Sequence, residues 1–370
     1  MIPLFRPVCG DEEIEAVTRV LRSGWWGQGP ETEKFEAEFA AYTGSRFAVA
    51  VSSATAALEL AARATGLTGG IVVVPALTFI SSAQAMQHAG NQVVFADIIE
   101  TDLCIDFTDA YEKMCEFPDG NWGIVPVWYG GAGTGVSIPK PIHDAFTIIE
   151  DCAHAAGSKF TGRRGDARAW SFHAVKNLAT GDGGMVTTDD EDVAAEVRRL
   201  RWCGIDKSTW DRDKDSRVGY GWDYDIPGDG FKAHMNDIAA ALGRVQLRKL
   251  DERNSMRRAQ AAIYNCDLSG LPWLKTPKVD GNSATHMYVV RVPADRRPDF
   301  IRHMIANGVS AGVHYKPLNH YKSLFPDTGW PNETPVTERV WQTLVTLPLF
   351  PSMTQPEQEQ VIAAVRSFRA

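Results

Sequence analysis

The chain has 370 residues, 44% of them hydrophobic, which is enough for one large and one smaller domain. A net charge of −8 argues against the broad basic face that nucleic-acid binding requires. The start, M-I-P-L-F-R-P, has no apolar signal core, and no stretch is long and apolar enough to cross a membrane. Cys9, Cys104, Cys115, Cys152, Cys203 and Cys266 show no C-x-x-C spacing and are expected to be reduced thiols of a cytoplasmic protein.

Met1 to Pro7 reads as an extended arm. Asp11 to Arg22 places Ile14, Val17 and Leu21 at helical spacing behind an acidic first turn. Ser23 to Pro30, S-G-W-W-G-Q-G-P, reads as a loop whose Trp25 and Trp26 either meet a ligand or plug the core. Glu31 to Tyr42 is a second helix with Phe35 and Phe39 on one stripe. From Phe47 the pattern becomes strand, turn, helix: F-A-V-A-V, then S-S-A-T-A-A-L-E-L-A-A-R. Small hydroxyl residues opening a helix after a strand suit a phosphate, and equally suit an ordinary Ser cap.

Further strands are expected at Val72 to Pro75, Gln92 to Ala96, Gly123 to Val127, Phe146 to Glu150, Trp170 to Phe172 and Met185 to Thr188. With helices between them, they imply an α/β fold with a mostly parallel mixed sheet between helices, residues 1–250. Glu191 to Trp202 and Met235 to Leu250 read as helices, and Lys207 to Asp229 as an irregular loop. A smaller α+β domain, residues 251–370, follows. It has a helix from Arg253, a strand at His286 to Val292 and a helix at Asp299 to Asn307. The run G-V-S-A-G-V-H-Y-K-P-L is expected to be a strand entering a loop, and Thr354 to cap a closing helix.

One stretch concentrates chemistry: W-S-F-H-A-V-K-N-L-A-T-G-D-G-G-M-V-T-T, Trp170 to Thr188. Lys176 lies in a small-residue turn between two strands, with E-D-C-A-H shortly upstream. A turn lysine is commonly solvated. A lysine whose pKa is depressed by burial can instead condense with an aldehyde. Pyridoxal 5'-phosphate (PLP) needs that lysine, a carboxylate for its ring nitrogen and a phosphate cradle. Lys176, Asp151 and the Ser53 to Thr55 helix start are one candidate for each role. Asp151 could also be a structural cap, and Asp97 and Asp166 are equally acidic. A metal site at His143, Asp144, Asp151 and His154 lacks ligand spacing, so no metal is expected. There is no G-x-S-x-G elbow, and no G-x-G-x-x-G follows the first strand.

These motifs, with G-P-E-T-E-K-F-E-A-E-F-A, V-P-A-L-T-F, H-M-N-D-I-A-A-A-L-G-R-V-Q-L-R-K-L and L-P-L-F-P-S-M-T, resemble the PLP-dependent nucleotide-sugar aminotransferases (the DegT/DnrJ/StrS group) almost end to end. The resemblance implies a fold-type-I aminotransferase, a homodimer with shared active sites. It implies cycling between PLP and pyridoxamine 5'-phosphate, with glutamate or glutamine as donor and a nucleotide-linked keto-deoxyhexose as acceptor. By resemblance Lys176 is the Schiff-base lysine and proton shuttle, Asp151 the pyridine partner, and His154 the residue against the cofactor. Ala54, Thr55 and Ser171 match the phosphate binders and Phe79 the ring-stacking aromatic. His234 matches a phosphate contact from the neighbouring subunit. Trp26, Gly27, His314 and Tyr315 match substrate loops.

Four features depart from the family pattern. Ala174 and Val175 replace the usual P-T, and Ala54 stands where Gly is common. His234 replaces Asn or Arg, and Gly130 to Phe146 is too short and Pro-rich for a full crossover helix. The same scaffold also serves sugar dehydratases, cyclitol aminotransferases and non-catalytic sensors. In the dehydratases the lysine is typically a histidine, whereas Lys176 is present here.

Overall fold

The computed structural model describes residues 1–116, 120–132, 137–160, 165–216, 222–326 and 333–369. Seven short apolar strands build the main sheet: β1 (Phe47–Val51), β2 (Ile71–Pro75), β3 (Gln92–Ala96), β4 (Trp122–Ile124), β5 (Thr147–Asp151), β6 (Ala167–Ser171) and β7 (Gly184–Thr188). Their order is β1-β7-β6-β5-β4-β2-β3. β7 runs antiparallel to both β1 and β6, and the other neighbours pair in parallel.

The strands read as continuous apolar runs because both faces are covered. Successive residues enter opposite cores. Val72 and Val74 face the core made with helices Ala54–Ala64, Ser81–His88 and Glu191–Leu200, through Leu58, Met86 and Val197. Val73 faces the other side, against Met114 and Ile142. Further along that side, Phe35 and Phe39 of the helix Pro30–Thr43 pack with Ala48, Trp170 and Phe172.

The reversal of β7 decides where the chemistry can sit. A parallel pair needs a long crossover, whereas an antiparallel pair can turn back directly. The segment 172–183 therefore turns at the end of β6 and stays there. The ends of β1, β2, β4 and β5 reach the same sheet edge, so the segments after all these strands converge.

A second sheet, β8 (Tyr288–Arg291) with β9 (Leu344–Leu347), packs under helices Leu250–Leu268, Arg297–Ala306 and Gln355–Ser367. Ile2 joins this core and bridges to Val309, so the N-terminal arm is anchored. Thr354 caps the last helix in a capping box with Glu357.

The structure departs from the sequence expectations in several places. A helix spans Phe107–Cys115, where no helix was expected. Lys207 to Asp229 contains the helix Thr209–Ser216; residues 217–221 of that expected loop lie outside the described residues. The expected strand after Gly308 is reduced to single bridges, Val309 to Ile2 and Gly312 to Thr346. The partner of β8 is β9, preceded by a helix at Pro335–Trp341, neither of which was expected. β4 stops at Ile124 because Pro126 has no N–H to give the ladder, and Val127 rejoins through a bridge to Asp151. The shortened crossover holds only a six-residue helix, Lys140–Ala145; residues 133–136 of this segment lie outside the described residues.

Gly184 is where β7 touches the start of the helix Ala54–Ala64. A Cβ there would lie 2.4 Å from the carbonyl carbon and oxygen of Ser53 and 2.8 Å from the Ala54 nitrogen. Those neighbours are backbone and cannot rotate away. Gly184→Ala is therefore expected to destabilise the protein by about 1–3 kcal/mol, read from denaturant unfolding. Unchanged stability would show that the turn yields freely.

Candidate active site

At the shared edge lies a cavity of about 350 Å³. Its walls come from four places that the sheet brings together: Ser53, Ala54 and Thr55 after β1; Thr78 and Phe79 after β2; Asp151, Ala153 and His154 at the end of β5; and Ser171, His173 and Lys176 around the β6–β7 turn. Tyr315 closes it from the C-terminal part of the chain.

Lys176 is held by a tight turn in which its N–H donates to the His173 carbonyl at 2.8 Å. Among the described residues its side-chain amine makes no ion pair and no hydrogen bond. Burial pushes its pKa down to about 8, and the charge of Asp151 offsets part of that fall. The amine can therefore lose its proton near neutral pH, which a free lysine cannot.

Asp151 is 4% exposed. Its Oδ2 accepts from the Ser82 hydroxyl at 2.7 Å and its Oδ1 from the Ala153 N–H at 3.0 Å. Ser82 in turn contacts the Thr78 hydroxyl at 2.8 Å. Burial raises the Asp151 carboxyl above its ordinary range, while Ser82, Ala153 and Lys176 pull it back. The two rival aspartates serve the fold. Asp97 accepts from the N–H groups of Val336 and Thr337 and so caps the helix Pro335–Trp341. Asp166 accepts from the Ile148 N–H at 2.7 Å. Neither lines the cavity.

His154 accepts the Gly130 N–H at Nδ1, 3.2 Å. In the neutral ring the proton then sits on Nε2, which faces the Tyr315 hydroxyl at 3.3 Å. Burial, followed by the charges of Lys176 and His314, holds His154 well below the usual imidazole range, so it is neutral. Phe79 is 54% exposed and lies 5.8 Å from the Tyr315 ring.

Opposite, Ser53 caps the helix Ala54–Ala64 by accepting the Ala56 N–H at 3.1 Å. The Ala54 and Thr55 N–H groups have no acceptor within the helix, as at any helix start, and both residues line the cavity. Gly184 is what lets β7 approach the Ser53–Ala54 peptide so closely. A carboxylate, an unpartnered amine and an anion-seeking helix start thus converge on one enclosed space. These donors fit a phosphorylated aromatic aldehyde: the helix start for its phosphate, the amine for its carbonyl and the buried carboxylate for a cationic ring nitrogen.

Four expected residues do not line this cavity. His314 turns its Nδ1 to the Thr346 hydroxyl at 2.8 Å, and its carbonyl accepts from Tyr129. His234 pairs with Val51 through an isolated bridge, and its ring lies 4.4 Å from Trp202. Burial, then Lys232 and Arg201, lower His234 to about 4, so it is uncharged at neutral pH. Trp26 is 54% exposed, and the carbonyls of Trp26 and Gly27 accept the Asp237 N–H. Trp25 instead packs on Trp210, 4.9 Å between ring centres. Sequence reading did not single out Thr78 or Ser82. Hydroxyls on a strand–helix connection were their only signal, and it was not specific.

Residues 7–366 match the model of the DegT/DnrJ/EryC1/StrS aminotransferase family. The chain is 37% identical over 381 residues to the spore coat polysaccharide biosynthesis protein SpsC of Bacillus subtilis (strain 168), covering 99% of this chain and 96% of that one. It superposes on the sugar aminotransferase CalS13 of Micromonospora echinospora with a TM-score of 0.86 and 27% identity, over 99% of this chain and 100% of that one. It also superposes on Spr1654 of Streptococcus pneumoniae, solved in both a PLP and a PMP form. The PLP form gives a TM-score of 0.85 at 28% identity, over 99% of this chain and 98% of that one. The chain therefore belongs to the DegT/DnrJ/EryC1/StrS aminotransferase family and is a PLP-dependent aminotransferase.

Proposed function

We propose that this aminotransferase moves an amino group from L-glutamate, or glutamine, to a keto-sugar, specifically a nucleotide-linked keto-deoxyhexose, as a cytoplasmic homodimer. The observation that carries the reading is the partnerless, pKa-lowered amine of Lys176 sharing one cavity with buried Asp151 and the Ala54 helix start. The saccharide part is supported by the relatives, one named for spore coat polysaccharide biosynthesis and one as a sugar aminotransferase. When bound, PLP supplies an electron sink that lets an amino acid's α-proton leave.

The chain's own residues do the rest. Lys176 Nζ takes the donor's α-proton and later gives a proton back, a task suited to an amine titrating near working pH. Asp151, oriented by Ser82 and the Ala153 N–H, holds a cationic ring nitrogen. The N–H groups of Ala54 and Thr55, with the Thr55 and Ser171 hydroxyls, bind phosphate. Phe79 and His154 flank the ring, and Tyr315 meets the substrate. We assign Trp26, Gly27 and His234 to the site of a second copy. In this chain they gather around the start of the helix Asp237–Arg248, outside its own cavity. The division into residues 1–250 and 251–370 is part of the same reading.

The purified protein with added PLP is expected to show a visible absorption band that glutamate discharges. A nucleotide-linked keto-sugar should then restore it, with the amino-sugar seen by mass spectrometry. A band indifferent to glutamate and glutamine would overturn the donor, and no band would overturn the role of Lys176. Lys176→Ala should abolish turnover while retaining PLP without a covalent mass adduct. Asp151→Ala should weaken PLP affinity and turnover together, and an unchanged rate would place the ring-nitrogen partner elsewhere.

The pH dependence has a definite sign. Only the neutral amine attacks an aldehyde, and Lys176 titrates at about 8. The rate of PLP capture by the apoprotein should therefore rise with pH through about 8 and level off above it. Stopped-flow absorbance measures this, and a profile still climbing beyond pH 10 would mean that Lys176 is not depressed.

A further inference from the structure

His286 is a buried histidine, 2% exposed, that does not line the cavity and has no part in the chemistry above. Its surroundings connect it to both sides of the site. Its ring stacks on Phe5, 5.3 Å between ring centres with the planes nearly parallel at 9°, and meets the His154 ring at 4.7 Å and 33°. Its Nδ1 meets Asn177 Oδ1 at 2.8 Å. Asn177 directly follows Lys176, and its amide nitrogen donates to Asn254 Oδ1 at 2.7 Å and to the Ala284 carbonyl at 2.8 Å. Both amide protons of Asn177 are thus committed, so its oxygen can only accept. The proton of that contact must sit on His286 Nδ1.

The main chain repeats the link. The His286 N–H donates to the Gly130 carbonyl at 3.0 Å, and the Gly130 N–H donates to His154 Nδ1 at 3.2 Å. A single residue, Gly130, therefore holds His286 through its carbonyl and fixes the tautomer of His154 through its N–H. The turn that does this is made by Gly130 and Gly131, both with positive φ, at 61° and 82°. A Cβ on Gly131 would lie 2.9 Å from the His154 carbonyl oxygen.

We propose that His286 is a positioning residue that couples the turn after Lys176 to the ring of His154. One nitrogen locks the Asn177 amide, and with it the exit of the lysine turn. Its ring packs against His154, and the arm residue Phe5 stacks on it in turn. The proposal rests on the reading of the Lys176 cavity as the PLP site for its effect on turnover, but the coupling itself exists in the apoprotein. Burial holds both rings neutral, so the contact between them carries no charge repulsion.

Two substitutions separate the two links. His286→Phe keeps a flat ring and loses the Nδ1 donor. His286→Asn keeps a donor near the Nδ1 position and loses the stack. Hydrogen–deuterium exchange on the apoprotein should show faster exchange across residues 174–180 in His286→Phe than in wild type or His286→Asn. In PLP-loaded protein, His286→Phe should lower kcat by about ten- to hundredfold with KM for the donor within about twofold, as expected for misplaced reacting groups. His286→Asn should shift the visible band while keeping residues 174–180 protected. Asn177→Ala approaches the same lock from the other side and should match His286→Phe in both readouts if that variant folds poorly. Wild-type exchange across 174–180 in both His286→Phe and Asn177→Ala would overturn the proposal, as would a lowered melting temperature with kcat per folded site unchanged. Wild-type protein that takes up no PLP, with exchange responding as described, would instead remove the PLP reading and leave the coupling in place.

Discussion

The site depends on one reversal of direction. Because β7 runs against β6, segment 172–183 turns back at the sheet edge and does not travel over a face. Lys176 is thereby confined beside the ends of β1, β2 and β5. The reversal also presses Gly184 onto Ser53 and Ala54, which sets the distance between the lysine turn and the helix start. A residue with a side chain at 184 would separate the two. The helix start and the amine are useful only together, so this backbone contact does more for the site than any single side-chain bond.

The electrostatics follow from enclosure. The cavity contains an amine with no partner and a carboxylate with two donors. Burial shifts each toward its neutral form, Lys176 downward and Asp151 upward. A strong ion pair between them would fix both charges and leave the amine protonated. The hydrogen-bond donors on Asp151 come instead from Ser82 and Ala153, and Lys176 acts on it only through its charge. Near this pair His154 and His286 are kept neutral, by burial above all. The surroundings therefore pack around Lys176, whose amine has no hydrogen-bond partner among the described residues. Phe5 extends this packing to the N-terminal arm, which is tied down by the Ile2–Val309 bridge.

Much of this was legible in the sequence. Apolar runs located all seven main strands to within a few residues, because strands covered on both faces need apolar residues at nearly every position. Lys176, Asp151 and the Thr55 helix start were named from their places at strand ends, and His154 and Phe79 from the family resemblance; all five line the cavity. The elements that were missed have local reasons. The helix Phe107–Cys115 buries Phe107, Ala110 and Met114 but is only nine residues long, and the helix Thr209–Ser216 is almost wholly polar. The stretch after Gly308 has strand composition, but its main chain finds only isolated partners, at Ile2 and Thr346.

Sequence by itself determined the residue types, the order of strands and helices along the chain, and the turn chemistry around Lys176. These are set by local propensity, apolar period and motif. Only the tertiary structure decided which strand neighbours which, and hence which of three aspartates faces the lysine. Asp97 and Asp166 end in caps and backbone contacts, whereas Asp151 enters the cavity. Nor could spacing reveal that Ser82 supports Asp151, or that Asn177 reaches His286 across 109 positions. Such contacts join distant parts of the chain, and their partners are chosen by sheet order and packing, which no local pattern encodes.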